Sequence, residues 1–150
     1  QYILANQLRQ TWMVVTSDVG DSLDVHYRNK QPVGERLALQ ALHNVYEHTV
    51  VSEGPSCIKA RAVDGQVYLY FEHARSLQAK NGPLAGFEVA GEDGVYHVAT
   101  AKIDGESVVV SSAEVPHPTM VRYGWQPFSR ANLVNEAQLP CSTFEKKIQQ

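Results

Sequence analysis

The sequence is short of nearly everything that marks a specialised chain. Two cysteines in 150 residues, Cys57 and Cys141, are too few for a disulfide scaffold and lack metal-ligand spacing. One widely spaced pair is compatible with a disulfide of a secreted domain, but two buried free thiols are the plainer reading. Thirteen basic residues face sixteen acidic ones, a net charge of −3, and no Lys/Arg cluster is present. That excludes a nucleic-acid face, which needs concentrated positive charge. Apolar runs stop at four or five residues, too short to span a membrane. Neither a Gly-x-Ser-x-Gly elbow nor a glycine-rich phosphate loop occurs, so no serine nucleophile of that type and no nucleotide site is expected here. Internal repeats and low-complexity tracts are also missing.

What remains is a soluble, globular composition, 43% hydrophobic and 19% charged, enough for one large domain or two small pieces. Ile3, Leu4 and Leu8 within Gln1 to Gln10 have helical spacing and read as the last turns of an amphipathic helix. A chain that starts with Gln1 inside a helix is expected to be cut from something longer. Trp12 to Thr16 reads as a buried strand and Ser17 to Gln31 as a polar loop. Pro32 suits a first helical position. Val33, Leu37, Ala38, Ala41, Leu42, Val45 and Tyr46 mark one helical face as far as Tyr46 or Glu47.

Glu53-Gly54-Pro55 ends that pattern. Ile58 to Val63, Asp64-Gly65 and Gln66 to Phe71 carry a hairpin signal. Ala85 to Ala90, Val95 to Ile103, Ser107 to Ser111 and Met120 to Trp125 continue the theme, with Gly-containing turns between. Short strands at spacings near ten residues describe an antiparallel β-sandwich. The expected fold is therefore α+β: residues 1–50 close an α/β domain with a strand and helix, and residues 51–150 form a β-sandwich domain. Gln126 to Phe144 reads as coil, and the last six residues as a frayed polar end.

Chemistry concentrates in the loop, where Asp18, Asp21, Asp24 and His26 fall within nine residues. A loop at the end of a buried strand faces the crevice where α/β folds bind ligands. His26 can act there as general base to a serine hydroxyl, with Asp24 or Asp18 orienting its other ring nitrogen. Two alternatives stay open. His26 is a solvated loop histidine, or the carboxylates and His26 hold a hard cation, although their steps of three lack the pattern of an EF-hand. His43 and His48 read as surface residues, His97 and His117 as ordinary strand and loop residues. Trp125 is read as a core or domain-interface residue, with stacking on a sugar as the alternative.

Two blocks carry a family resemblance. Met13-Val14-Val15-Thr16-Ser17-Asp18-Val19-Gly20-Asp21 and Asp24-Val25-His26-Tyr27-Arg28-Asn29-Lys30-Gln31-Pro32-Val33-Gly34-Glu35-Arg36-Leu37-Ala38 resemble the sialate O-acetylesterases, which are SGNH (GDSL-like) serine esterases. Phe87 to Asp93, Val121-Arg122-Tyr123-Gly124-Trp125, Asn132-Leu133-Val134-Asn135 and Leu139 to Phe144 resemble the family's later part. The resemblance implies that residues 1–50 end an SGNH-type α/β domain, and that the nucleophilic serine and oxyanion hole lie upstream of Gln1. It also implies that His26 is the catalytic histidine. The family's usual aspartate, three residues before the histidine, is replaced by Leu23, which leaves Asp24 as first choice of acid and Asp18 as second. Tyr27 stands where the family has proline and is available as a wall of the sugar pocket. Arg28 is placed to meet a sialate carboxylate or to form a structural ion pair. The implied reaction removes an O-acetyl group from sialic acid or a related sugar without metal or organic cofactor. The implied partners are the upstream part of the same esterase and the O-acetylated sugar, in a periplasmic or extracellular setting. The competing reading is a non-catalytic β-sandwich accessory module that binds carbohydrate or packs domains together.

Overall fold

Asp64 and Gly65 both take positive φ, 50° and 77°, as a two-residue hairpin turn requires. They join β1 (Ser56–Val63) to β2 (Gln66–Glu72), with Val63 opposite Gln66. In this computed structural model, which describes residues 5, 7–24 and 26–149, eight further strands follow. They are β3 (Gln78–Ala79), β4 (Phe87–Ala90), β5 (Tyr96–Val98), β6 (Thr100–Asp104), β7 (Ser107–Ser111), β8 (Met120–Tyr123), β9 (Leu133–Val134) and β10 (Phe144–Lys147). Two antiparallel four-stranded sheets result, ordered β1-β2-β7-β6 and β10-β8-β4-β5, beside a two-stranded β3-β9 ribbon.

Period-two alternation turns Val67, Leu69, Val108 and Val110 of the first sheet inward, and Phe87, Val89, Val121 and Tyr123 of the second. All belong to one hydrophobic cluster. Phe87 and Phe144 flank Tyr123, with ring centroids at 4.6 and 5.7 Å. The Tyr123 hydroxyl accepts the Leu133 amide at 2.8 Å, so the buried phenol is satisfied. The sheets are also tied at their margins. Ala99, between β5 and β6, donates its amide to Phe87. Ile148 donates to Thr119 beside the second sheet, and Gln149 exchanges hydrogen bonds with Ala60 and Ala62 of the first. These links cover edges that would otherwise offer unpaired backbone groups.

The expected α+β architecture is not what forms. The chain is mostly antiparallel sheet, 32% strand and 11% helix, and the described residues show no SGNH-type α/β domain with several helices. Helix α1 spans Gln31–Asn44. Trp12 to Thr16 forms no strand. The physical reason is the absence of a neighbouring strand among the described residues: side chains of α1 supply donors instead. Arg36 Nη1 donates to the Val15 carbonyl at 2.6 Å, and Gln40 Nε2 to those of Met13 and Ser52 at 3.4 and 3.0 Å.

The face of α1 is corrected for the same reason. Arg36 and Gln40 are its buried residues, whereas Leu37, Val45 and Tyr46 are 53%, 58% and 67% exposed. The expected amphipathic helix over Gln1 to Gln10 falls largely outside the described residues. The chain's end is corrected too, since β10 and the buried Ile148 replace a frayed tail. Trp125, expected in the core or at a domain interface, is 50% exposed and so is not a core residue. Cys57 and Cys141 are free and buried. Burial pushes the Cys57 thiol up to about 12 and the Cys141 thiol well above its ordinary value.

Candidate functional site

The loop before α1 is built from short polar side chains that bond their own backbone. Asp21 Oδ1 accepts the Leu23 amide and Asp24 Oδ1 the His26 amide, both at 2.8 Å. Asn29 Oδ1 accepts the Gln31 amide at 3.3 Å. These are successive Asx turns, in which a side-chain oxygen imitates a turn carbonyl. Two of the three clustered carboxylates are thus engaged locally, which accounts for their spacing without a shared ion.

Asp18 is engaged elsewhere. Arg36 grips it with two parallel bonds of 2.6 and 2.7 Å, the bidentate geometry that suits a guanidinium to a carboxylate. The Arg36 and Asp18 side chains are only 8% and 15% exposed. With the Val15 bond, this pair roots the loop on α1.

His26 itself is exposed, and its imidazole makes no hydrogen bond to the described residues. Asp24 reaches its backbone amide rather than its ring, and Asp18 faces Arg36. The structure therefore gathers Asp24, His26, Tyr27 and Arg28 on one exposed loop without assembling a histidine–carboxylate pair among them. Tyr27 and Asp24 line a depression of about 240 Å³ together with Thr16, Asn29 and Val33. Arg28 is exposed. Among the described residues no group of three or more His, Cys, Asp or Glu is placed to hold a metal. No described helix is long and apolar enough to cross a membrane.

Among the described residues two histidine–carboxylate pairs do form, His97 Nδ1 with Glu114 Oε2 at 2.7 Å and, at positions the sequence reading passed over, His73 with Glu53. His73 Nε2 lies 2.8 Å from Glu53 Oε2. Both line a cavity of about 350 Å³ that Ala5, Leu8 and residues 10–15 also line. The buried amide of Asn135 ties together the two segments that carry the pair, because its Nδ2 donates to the backbone carbonyls of Glu53 and His73 at 2.8 and 3.2 Å. Its Oδ1 accepts the Ala137 and Leu139 amides, both at 3.2 Å. Gly54 permits the crossing underneath, since a Cβ there would stand 2.0 Å from the Pro140 carbonyl oxygen. The only signals in the sequence were Glu53-Gly54-Pro55, read as a break, and Asn135, read as part of a resemblance.

No protein-family model and no curated protein matches the sequence. Among solved structures, the chain is similar to the crystal structure of a carbohydrate acetylesterase from Xanthomonas citri. The two are 41% identical with a TM-score of 0.82, over 87% of this chain and 31% of that one. The chain thus spans about a third of that enzyme's length, and a relationship to carbohydrate esterases is supported.

Proposed function

We propose that the chain acts as the histidine-bearing part of a serine carbohydrate esterase that removes O-acetyl groups from sialic acid or a related sugar. The observation that carries this reading is the 41% identity and 0.82 TM-score to a carbohydrate acetylesterase. His26 takes the proton of a serine hydroxyl supplied by a further part of the enzyme, and returns it to the departing sugar hydroxyl. Donors from that part hold the tetrahedral oxyanion. Asp24 is the acid of choice because Asp18 is held by Arg36. Engagement of the imidazole then requires Asp24 to exchange the His26 amide for the ring. The O-acetylated sugar and the remaining part of the esterase are the proposed partners.

The test is acetate release from an O-acetylated sugar by the longer enzyme carrying His26→Ala. A loss of roughly 10²–10⁴ in kcat with sugar binding retained is expected of a general base. The 150-residue chain alone is expected to release no acetate, because a base without nucleophile and oxyanion hole makes no acyl-enzyme. Unchanged turnover in His26→Ala favours the second reading, a non-catalytic module for carbohydrate binding or domain packing. One observation leans that way: the His26 ring meets no carboxylate among the described residues.

A further inference from the structure

The cavity beside His73 and Glu53 is lined by none of Asp24, His26, Tyr27 and Arg28, and its walls have a particular chemistry. Its lining joins the apolar Trp12, Val14, Leu139 and Pro140 to the polar Glu53, Glu72 and His73. At about 350 Å³ it sits at the small end of ligand sites, which run about 300–1,000 Å³. That size suits a single ring unit rather than a chain.

The polar wall is built rather than incidental. Asn135 is 1% exposed, and its amide clamps the two segments that carry Glu53 and His73. His73 is held at φ 54°, a left-handed conformation that a side chain adopts at a cost and that clusters at ligand sites. Glu53 Oε2 meets His73 Nε2 with both side chains about half exposed, and leaves Nδ1 without a partner among the described residues. Charge narrows the choice of ligand. Glu53 and Glu72 outweigh His73, and the nearby Arg36 is already neutralised by Asp18. An anion is repelled from such a wall. A molecule with one apolar C–H face for Trp12 and a rim of hydroxyls for carboxylate and imidazole fits it.

We propose that this cavity binds one neutral pyranose unit, with Glu53 and His73 hydrogen-bonding its hydroxyls and Trp12 covering its apolar face. The choice of a sugar rests on the carbohydrate reading above; the preference for a neutral one rests on the wall itself.

The experiment uses the full chain with Trp125→Phe, which leaves Trp12 as the sole indole of two. Its emission is followed during titration with methyl β-xyloside, methyl α-mannoside, N-acetylglucosamine and N-acetylneuraminic acid. At least one neutral probe is expected to give a saturable change with a dissociation constant of roughly 0.1–10 mM, and the acidic probe none. Glu53→Gln and His73→Asn, the latter chosen because Asn tolerates positive φ, are each expected to weaken that binding about tenfold. Glu72→Gln gives a third reading should either fail to fold, as circular dichroism will tell. The proposal is overturned by no saturation with any neutral probe up to about 100 mM, by acidic sugar binding as tightly, or by binding indifferent to all three wall variants. Binding is read here without turnover. A longer enzyme that carries an intact His26 and releases no acetate while this binding persists therefore removes the esterase reading alone, and acetate release without this binding removes the cavity alone.

Discussion

The two halves of this chain are held together by opposite means. Between the sheets, valines, leucines and aromatic rings share one interior, and the strands that carry them are paired in backbone ladders. Around α1 the order is reversed. The contacts that hold it are Arg36 on Asp18 and Val15, Gln40 on Met13 and Ser52, and Asn44 on Gln40, while Leu37, Val45 and Tyr46 face outward. Hydrophobic burial is non-directional and tolerates local change, whereas a polar staple depends on a few well-aimed atoms. The sheets should thus lose stability as a unit, and the loop and helix should come loose piecemeal.

Substitution sharpens that contrast. Phe87→Ala removes a ring that is 1% exposed and packs on Tyr123; a loss of about 3–5 kcal/mol in denaturant unfolding is expected, shared by the whole sheet region. Arg36→Met strands the Asp18 carboxylate and frees the Val15 carbonyl. A cost of about 3 kcal/mol is expected, read as faster amide exchange over residues 13–18 while sheet amides stay protected. Equal loss of protection in both regions would break the comparison.

Alkali tests the sheet interior. The folded Cys57 thiol has its pKa raised from 9.0 to about 12 by burial, so above pH 9 the unfolded chain loses a proton that the folded chain keeps. Unfolding is then favoured, and stability that is full below pH 9 falls as pH rises toward 12. A decline of several degrees in Tm (about 5 °C) between pH 9 and 10.5 is expected, reduced in Cys57→Ala. Native thiols should also resist a disulfide reagent at pH 8 until denaturant is added. The smallest effect belongs to the exposed face of α1. Leu37→Ser should change unfolding free energy by no more than about 0.5 kcal/mol, and a larger loss in the 150-residue chain would show that this face is packed after all.

The elements that were legible in the sequence are those specified by neighbours along the chain. Asp64-Gly65 announced its hairpin because the turn needs two residues tolerant of positive φ. Ser107–Ser111 was read as a strand set off by the Asp104-Gly105 turn, and Pro32 marked the start of α1. Of the candidate site only its loop was legible: the segment holding Asp24, His26, Tyr27 and Arg28 lies at the entry to α1. The clustering of acids that drew attention to it is largely Asx-turn chemistry, a local device that resembles a catalytic one in composition.

Pairings between distant residues were not legible. Trp12 to Thr16 has a strand's composition, but a strand needs a partner ladder, and only the fold decides whether one stands alongside. The same limit hid the burial of Arg36 and Gln40 in place of Leu37, since helical periodicity reports which residues could be buried and not which face meets a neighbour. His73 and Glu53 are 20 residues apart, and Asn135 acts on both from 62 and 82 residues away. Turns, strand alternation and a helix start follow from backbone dihedral preferences and were determined by the sequence directly. The cavity, its clamped histidine and the inverted helix face arose only when tertiary packing chose among contacts that local chemistry leaves equally possible.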